Sequence, residues 1–324
     1  MSKFNKKRNF AEDIVINGDT YAGVHALPYV TAAVKTPVTV EKGWVRQIDG
    51  LTKSAVINNI ASENPITSAS VCNFDSNDSV STTEQVLTLT DYKVNEQICR
   101  GTVFPTWMGQ GMDRNGDLPQ NFSDFILATV AAKAGSQIES GIWAGKLDGV
   151  NNSVGFLSNT GAMGGFAGGA MKDFTTVETA EPDTPTGALA FLKAVYDKVA
   201  RDVSPLMMKA GFGFYVGTTI YAQYLQALAG ETTFQALGAA GSFNNITFMG
   251  YPLYVCPGML GRTIVATYPE NLVFGTNLAT DWTEARLIPT YQYDGSDNVR
   301  VTMNFAIGVQ TAVATDGVIG YDLV

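Results

Sequence analysis

The sequence predicts an α+β protein in which a thin β arm precedes a long helix and a mixed body of helices and strands. Three observations carry that prediction. Val, Thr and Ile alternate with polar residues between positions 29 and 103. Apolar residues then recur at three- and four-residue spacing over 119–143, and short strand-like runs separated by Gly, Pro, Asn and Asp fill the chain after position 246.

The 324 residues are 45% apolar and 16% charged, with a net charge of −9. About 25% charged residues is usual for a soluble domain. This composition excludes a disordered chain, and its length suits about two domains around a large core. So few charges predict a folded protein that hides much of its surface against copies of itself or partners. No apolar run reaches the roughly 18–20 residues of a membrane helix, so no membrane partner is expected. The start, Met1 to Phe10, lacks the apolar core of a secretory signal. Cys72, Cys99 and Cys256 are odd in number and widely spaced, against a disulfide framework or a CxxC zinc site. Reduced thiols and synthesis in the cytoplasm are expected.

In the arm, 34–40 and 44–48 read as strands, with Pro37 placing the first at a sheet edge. Residues 85–94 alternate in the same way, and the polar 61–83 stretch between reads as a loop, so the whole reads as a long hairpin. Asp113–Asp117 is a turn; Leu118 stands where a calcium loop needs glycine. The long helix follows over 119–143, its stripe formed by Phe122, Phe125, Ile126, Thr129, Val130, Ala134, Ile138 and Ile142, with Gly135 and Gly141 inside. The glycine-rich 161–169 segment lacks the Gly-Lys-Ser/Thr ending of a phosphate loop and reads as a loop. Thr184-Pro185 caps a second helix with Leu189, Leu192, Val195, Tyr196, Val199 and Val203 on its apolar face, ended by Pro205. A third helix is predicted over 218–228. Strands follow at 246–255, 263–267, 272–274, 285–289 and 298–309.

Catalytic patterns are sparse. His25 is the single histidine, which excludes three-histidine metal sites within one chain, and no nucleophile elbow accompanies it. No cofactor, metal ligand or catalytic residue is assigned, and the chain is not expected to be an enzyme. A hydrolase built on two carboxylates that meet only in the fold stays open as an alternative. Lys3, Lys6, Lys7 and Arg8 form a basic start in an otherwise acidic chain. Such a stretch is either a solvated terminus or an arm that touches a polyanion without reading sequence.

Residues 137–145, Gln-Ile-Glu-Ser-Gly-Ile-Trp-Ala-Gly, close the long helix and are followed by Gly155-Phe-Leu-Ser-Asn159. Met249-Gly-Tyr-Pro-Leu-Tyr-Val255, Tyr268–Thr276 and the alternating stretch 298–309 come later in the same order. In these segments the chain resembles the major capsid proteins of tailed bacteriophages, the Hong Kong ninety-seven fold shared with herpesvirus shells and encapsulins. The resemblance implies an N-terminal arm over 1–32 and an extended E-loop hairpin over 33–100. It implies a P-domain over 101–180 and 276–324 with spine helix 119–143, and an A-domain over 181–275. It further implies pentamers and hexamers forming an icosahedral head in the virion, built in a bacterial cytoplasm. The head would enclose double-stranded DNA faced by Lys3, Lys6, Lys7 and Arg8. A separate scaffolding protein, a portal and a decoration protein are the other partners implied, since some 30 residues leave no room for an attached scaffold. Some relatives join an E-loop Lys to a neighbour's Asn; Lys42 and Lys53 are present, but no partner is identified. An encapsulin-like compartment shell is the alternative within the same fold.

Overall fold

The computed structural model describes residues 20–22, 37–61, 81–99, 120–144, 155–157, 170–171, 173–179, 184–230, 247–259, 261–277, 284–290, 293, 295–296 and 298–322. The basic start, His25, Cys72, the 113–117 turn and the 161–169 segment lie outside them.

Strand β13, Asn298–Thr311, is the axis of the first sheet. Its odd positions Val299, Val301, Met303, Phe305, Ile307 and Val309 are buried, the period-two consequence of one face against a core. Along one edge it pairs antiparallel with β12 (Glu284–Pro289) and β11 (Leu272–Thr276). Its other edge takes β5 (Thr90–Cys99) in a ten-residue register, Asn298 opposite Cys99 through Ile307 opposite Thr90. Strands β1 (Thr20–Ala22) and β2 (Arg46–Ile48) complete the sheet among the described residues, β2 running parallel to β11.

The long helix α2, Gln120–Ala144, packs on this sheet. Ile126, Val130, Ala134, Ile138 and Ile142 are buried as the spacing requires, and Leu127, Ala131 and Trp143 widen the stripe. Thr129 is exposed, so the stripe passes beside it. The C-terminal carbonyls of Ile142 and Trp143 accept the backbone N–H groups of Phe156 and Leu157, both at 2.8 Å. These bonds close a helix end whose carbonyls have no partner within the helix.

The second sheet has the order β6 (Thr175–Thr179), β14 (Val318–Asp322), β10 (Thr263–Thr267), β7 (Gly213–Val216), β9 (Tyr251–Val255), β8 (Thr247–Phe248). Tyr215, Val265 and Ile319 point into the core shared with α2 and the first sheet. Their neighbours Phe214, Val216, Ile264, Ala266 and Val318 point the other way, into a second core. Helices α3 (Pro185–Asp202) and α4 (Thr218–Gly230) cover that second face. Thr184 caps α3, its Oγ1 accepting the Gly187 N–H at 3.0 Å.

Some sequence expectations move. Residues 38–41 form a helical turn, α1 (Val38–Glu41), instead of strand: Pro37 opens it, and its carbonyl accepts the N–H groups of Val40 and Glu41. The apolar face of α3 is Ala188, Phe191, Leu192, Val195 and Val199, while Leu189 is 40% exposed. Strands β1, β3 (Ser54–Ala61), β6, β7 and β14 were not read from the sequence. Central β7 is buried on both faces, so polar alternation never marks it. Strand β5, inside the 33–100 bounds, belongs to the first sheet, while β6 and β14, inside the 101–180 and 276–324 bounds, belong to the second.

A β-carbon at Gly258 would press on the backbone carbonyl of Glu139, and on the Ser140 nitrogen at 2.7 Å. Neither backbone atom can rotate aside. Gly258→Ala is therefore expected to cost about 1–3 kcal/mol, read as a lower denaturant midpoint at unchanged slope.

Candidate functional site

Two regions stand out. The first is the hairpin of β3 (Ser54–Ala61) and β4 (Ser81–Thr88), paired from Ser54 opposite Thr88 to Ala61 opposite Ser81. It forms its own two-stranded sheet. Alternation puts Val56, Asn58 and Ile60 on one face with Thr82, Glu84 and Val86, all exposed. Val56 is 57% exposed, Ile60 69% and Val86 51%, and Val56 lies directly opposite Val86. On the other face Leu87 is fully buried. Leu89 follows, its N–H bonded to the Lys53 carbonyl at 2.8 Å.

The root of the hairpin is a socket built from glycines. At Gly275 a β-carbon would meet Leu87 Cδ2 at 2.6 Å and Leu89 Cδ2 at 3.2 Å; at Gly308 it would meet the Thr88 carbonyl oxygen. Gln310 Nε2 also donates to the Val86 carbonyl at 3.2 Å. The hairpin thus leaves the body in a set direction, with its free length lacking a core. A groove of about 230 Å³ opens beside the root, lined in part by Val86, Tyr92, Gly141, Ile142 and Gly308.

The second region is a buried polar junction where α1, α2 and the second sheet meet. Glu139 is 4% exposed and accepts from the Thr39 N–H at 3.0 Å and from Thr39 Oγ1 at 2.5 Å. Trp143 Nε1 donates to the same Thr39 Oγ1 at 2.9 Å. Tyr215 OH donates to the Trp44 carbonyl at 2.8 Å, and its ring contacts Trp143 and Tyr254. Burial pushes the Tyr215 phenol up, and pushes the Cys256 thiol up with help from the Glu139 charge, against a lowering hydrogen bond from Thr39. Tyr268, donating to Asp316 Oδ2 at 3.1 Å, is raised by burial first and by Asp316 second.

Glu139 is the one buried carboxylate among the described residues, and its bonds hold α1 to α2. Among the described residues no three His, Cys, Asp or Glu side chains gather to hold a metal, and no helix is long and apolar enough to cross a membrane. Cys99 is exposed and Cys256 buried, and neither is in a disulfide. Lys42, at the end of α1, and Lys53, before β3, are exposed. Lys3, Lys6, Lys7 and Arg8 lie outside the described residues. Sequence reasoning passed over Val56, Ile60 and Val86 individually; Val86 lies in the alternating 85–94 stretch, whereas no alternation in 54–61 marks Val56 and Ile60.

No family model matches the sequence, and no curated protein matches it either. Solved structures do. The capsid of Myoviridae phage XM1 aligns at 14% identity over 88% of this chain and 92% of that chain, with a TM-score of 0.53. The chain has a phage capsid fold. A Gordonia phage Cozz structure aligns at 13% identity over 88% and 87% of the two chains, with a TM-score of 0.52. The capsid of cyanophage P-SCSP1u aligns at 9% identity over 89% of each chain, also at 0.52. In this capsid fold α2 is the long helix under the first sheet, and the β3–β4 hairpin is its projecting arm.

Thr39→Val keeps the shape of the side chain but removes the hydroxyl that bridges Glu139 and Trp143. It is expected to cost about 1–3 kcal/mol by leaving buried polar groups short of partners, measured by chemical unfolding. The pH response follows from the raised acids. Unfolded thiols titrate near 8.5 and phenols near 10, whereas the folded chain keeps Cys256, Tyr215 and Tyr268 protonated at higher pH. Above about pH 8.5 the unfolded state therefore binds fewer protons, and stability falls as pH rises. The Tm should drop from there upward, and Cys256→Ala should delay the onset toward about pH 10.

Proposed function

We propose that this chain is a major capsid protein, a shell subunit forming pentamers and hexamers of an icosahedral phage head around double-stranded DNA. One observation carries the reading: a capsid fold spanning nearly the whole chain with a projecting hairpin that bares Val56, Ile60 and Val86. A two-stranded hairpin without a covering layer is marginal in water. A neighbouring subunit supplies that layer, through apolar contact on one face and backbone bonds at the strand edges. Its role is structural, without a catalytic step. Residues 1–32 serve as an arm whose Lys3, Lys6, Lys7 and Arg8 touch packaged DNA by salt-sensitive, sequence-independent contact. The E-loop, P-domain and A-domain bounds of 33–100, 101–180 with 276–324, and 181–275 belong to the same proposal. So do a separate scaffold, a portal and a decoration protein as partners in the virion.

Electron microscopy of the purified chain, with light scattering on the same sample and with its phage's scaffold supplied, tests the reading. Closed shells or rings of five and six support it, and nucleic acid inside separates a head from a compartment that holds protein cargo. A chain that stays monomeric at high concentration with scaffold present overturns it. Val56→Thr with Ile60→Thr keeps β-branched side chains in the strand and removes the apolar stripe. The isolated subunit should change stability by no more than about 0.5 kcal/mol, while the yield of shells by sedimentation should fall sharply.

A further inference from the structure

The second sheet carries an exposed apolar feature that the hairpin reading leaves unused. Phe248 pairs with Tyr251, so Met249-Gly250 is the two-residue turn of the β8–β9 hairpin. Both turn residues have positive φ, 49° at Met249 and 88° at Gly250. That is the pattern of the tight hairpin turn whose first position favours Asn, Asp or Gly. Met249 is the one non-glycine residue with positive φ among those described, and its side chain is 58% exposed. A methionine in that conformation, turned to water, adds nothing to the stability of the subunit.

A second methionine shares this end of the sheet. Strands β7 and β9 run parallel with Phe214 opposite Leu253, so their starting ends lie side by side. Phe212, just before β7, meets Tyr251 edge-to-face with ring centres 5.1 Å apart, and its N–H bonds the Lys209 carbonyl at 3.2 Å. Met208, which precedes Lys209, is 90% exposed. Lys209 lies over the Tyr268 ring at 5.4 Å, and exposed Glu270 follows two residues after that ring. Two exposed methionines, a cation and a carboxylate therefore lie at this end of the sheet.

We infer that this end of the second sheet, Met249 with Met208, is a contact surface for a second copy of the chain. The choice of a second copy rests on the shell reading and on the charges. A border of Lys209 and Glu270 can meet the same border of a second copy with opposite signs facing. Flexible thioether side chains suit a contact that must fit several subunit angles. The strain at Met249 is then retained for assembly and opposes the stability of the lone subunit.

Met249→Asn tests this in the full chain, because Asn accepts the backbone conformation and removes the apolar side chain. The subunit's Tm should rise, while the self-association constant from sedimentation equilibrium weakens by about tenfold. Met208→Gln, outside the strained turn, should weaken association to a similar degree without raising Tm. Association unchanged in both variants overturns the inference. Microscopy of the same wild-type sample reads the shell proposal separately. Oligomers that are not shells, yet are weakened by both variants, support this surface and sink the shell reading. Shells indifferent to both variants do the reverse.

Discussion

The arrangement turns on one buried carboxylate. Glu139 sits late in α2, and its two bonds to Thr39 fasten α1, the segment leading into the hairpin, to the long helix. Trp143 completes the set through the same hydroxyl and stacks on Tyr215 of the second sheet, so three parts of the chain share one point. A carboxylate taken from water is costly unless hydrogen-bonded. Thr39 meets that need with both its N–H and its hydroxyl, which is possible only if residues 38–41 turn. The helical turn therefore serves the carboxylate, and a strand there would carry the Thr39 N–H elsewhere.

The two sheets are tied on a second line by Asn271. Chain crossings between the sheets occur at β10 to β11 and again at β13 to β14, and Asn271 lies in the first. Its Nδ2 donates to the Asp316 carbonyl at 3.0 Å, in the second crossing, and its Oδ1 accepts the Val313 N–H at 2.7 Å. Thr267 Oγ1 donates to the same Asp316 carbonyl at 2.8 Å. A fully buried amide thus satisfies backbone groups that a loop between sheets would otherwise leave unpaired. With this clip at the crossings and the Glu139 junction at the helix, the body is braced at two points, and the β3–β4 hairpin stands outside that bracing.

The broad order was legible because helix α2, helix α3 and strand β13 obey their own periods over many residues. Capping by Thr184 and Pro185 gave the start of α3 from two residues. In the second sheet β9 and β10 were legible, while β7 was hard to see because it is short and covered on both faces, as Phe214-Tyr215-Val216 shows. The face of α3 shifted for a related reason: Leu189 and Phe191 are equally apolar in sequence, and only the sheet beneath selects Phe191. Thr39 gave no signal at all, since its partner Glu139 lies a hundred residues away. For the candidate interface the case is similar. In 54–61 Val56 sits beside Ile57 and Asn58 beside Asn59, so no period of two marks a strand, and only pairing with 81–88 shows Val56 and Val86 on one uncovered face.

A rigid root and a bare tip belong together. Leu87 and Leu89 fill the space that Gly275 and Gly308 leave open, and any side chain at either glycine would push the hairpin root off the first sheet. If the hairpin served only to finish its own subunit, nothing would require so firm a root under an uncovered stripe. Ordering a loose arm on contact would consume part of the free energy of that contact. An arm already held in direction by the socket loses little freedom when a neighbour covers Val56 and Ile60, so more of the apolar burial remains to hold the neighbours together. In the proposed shell the glycines at the root would thus be part of the interface energetics, although no atom of theirs need touch the partner.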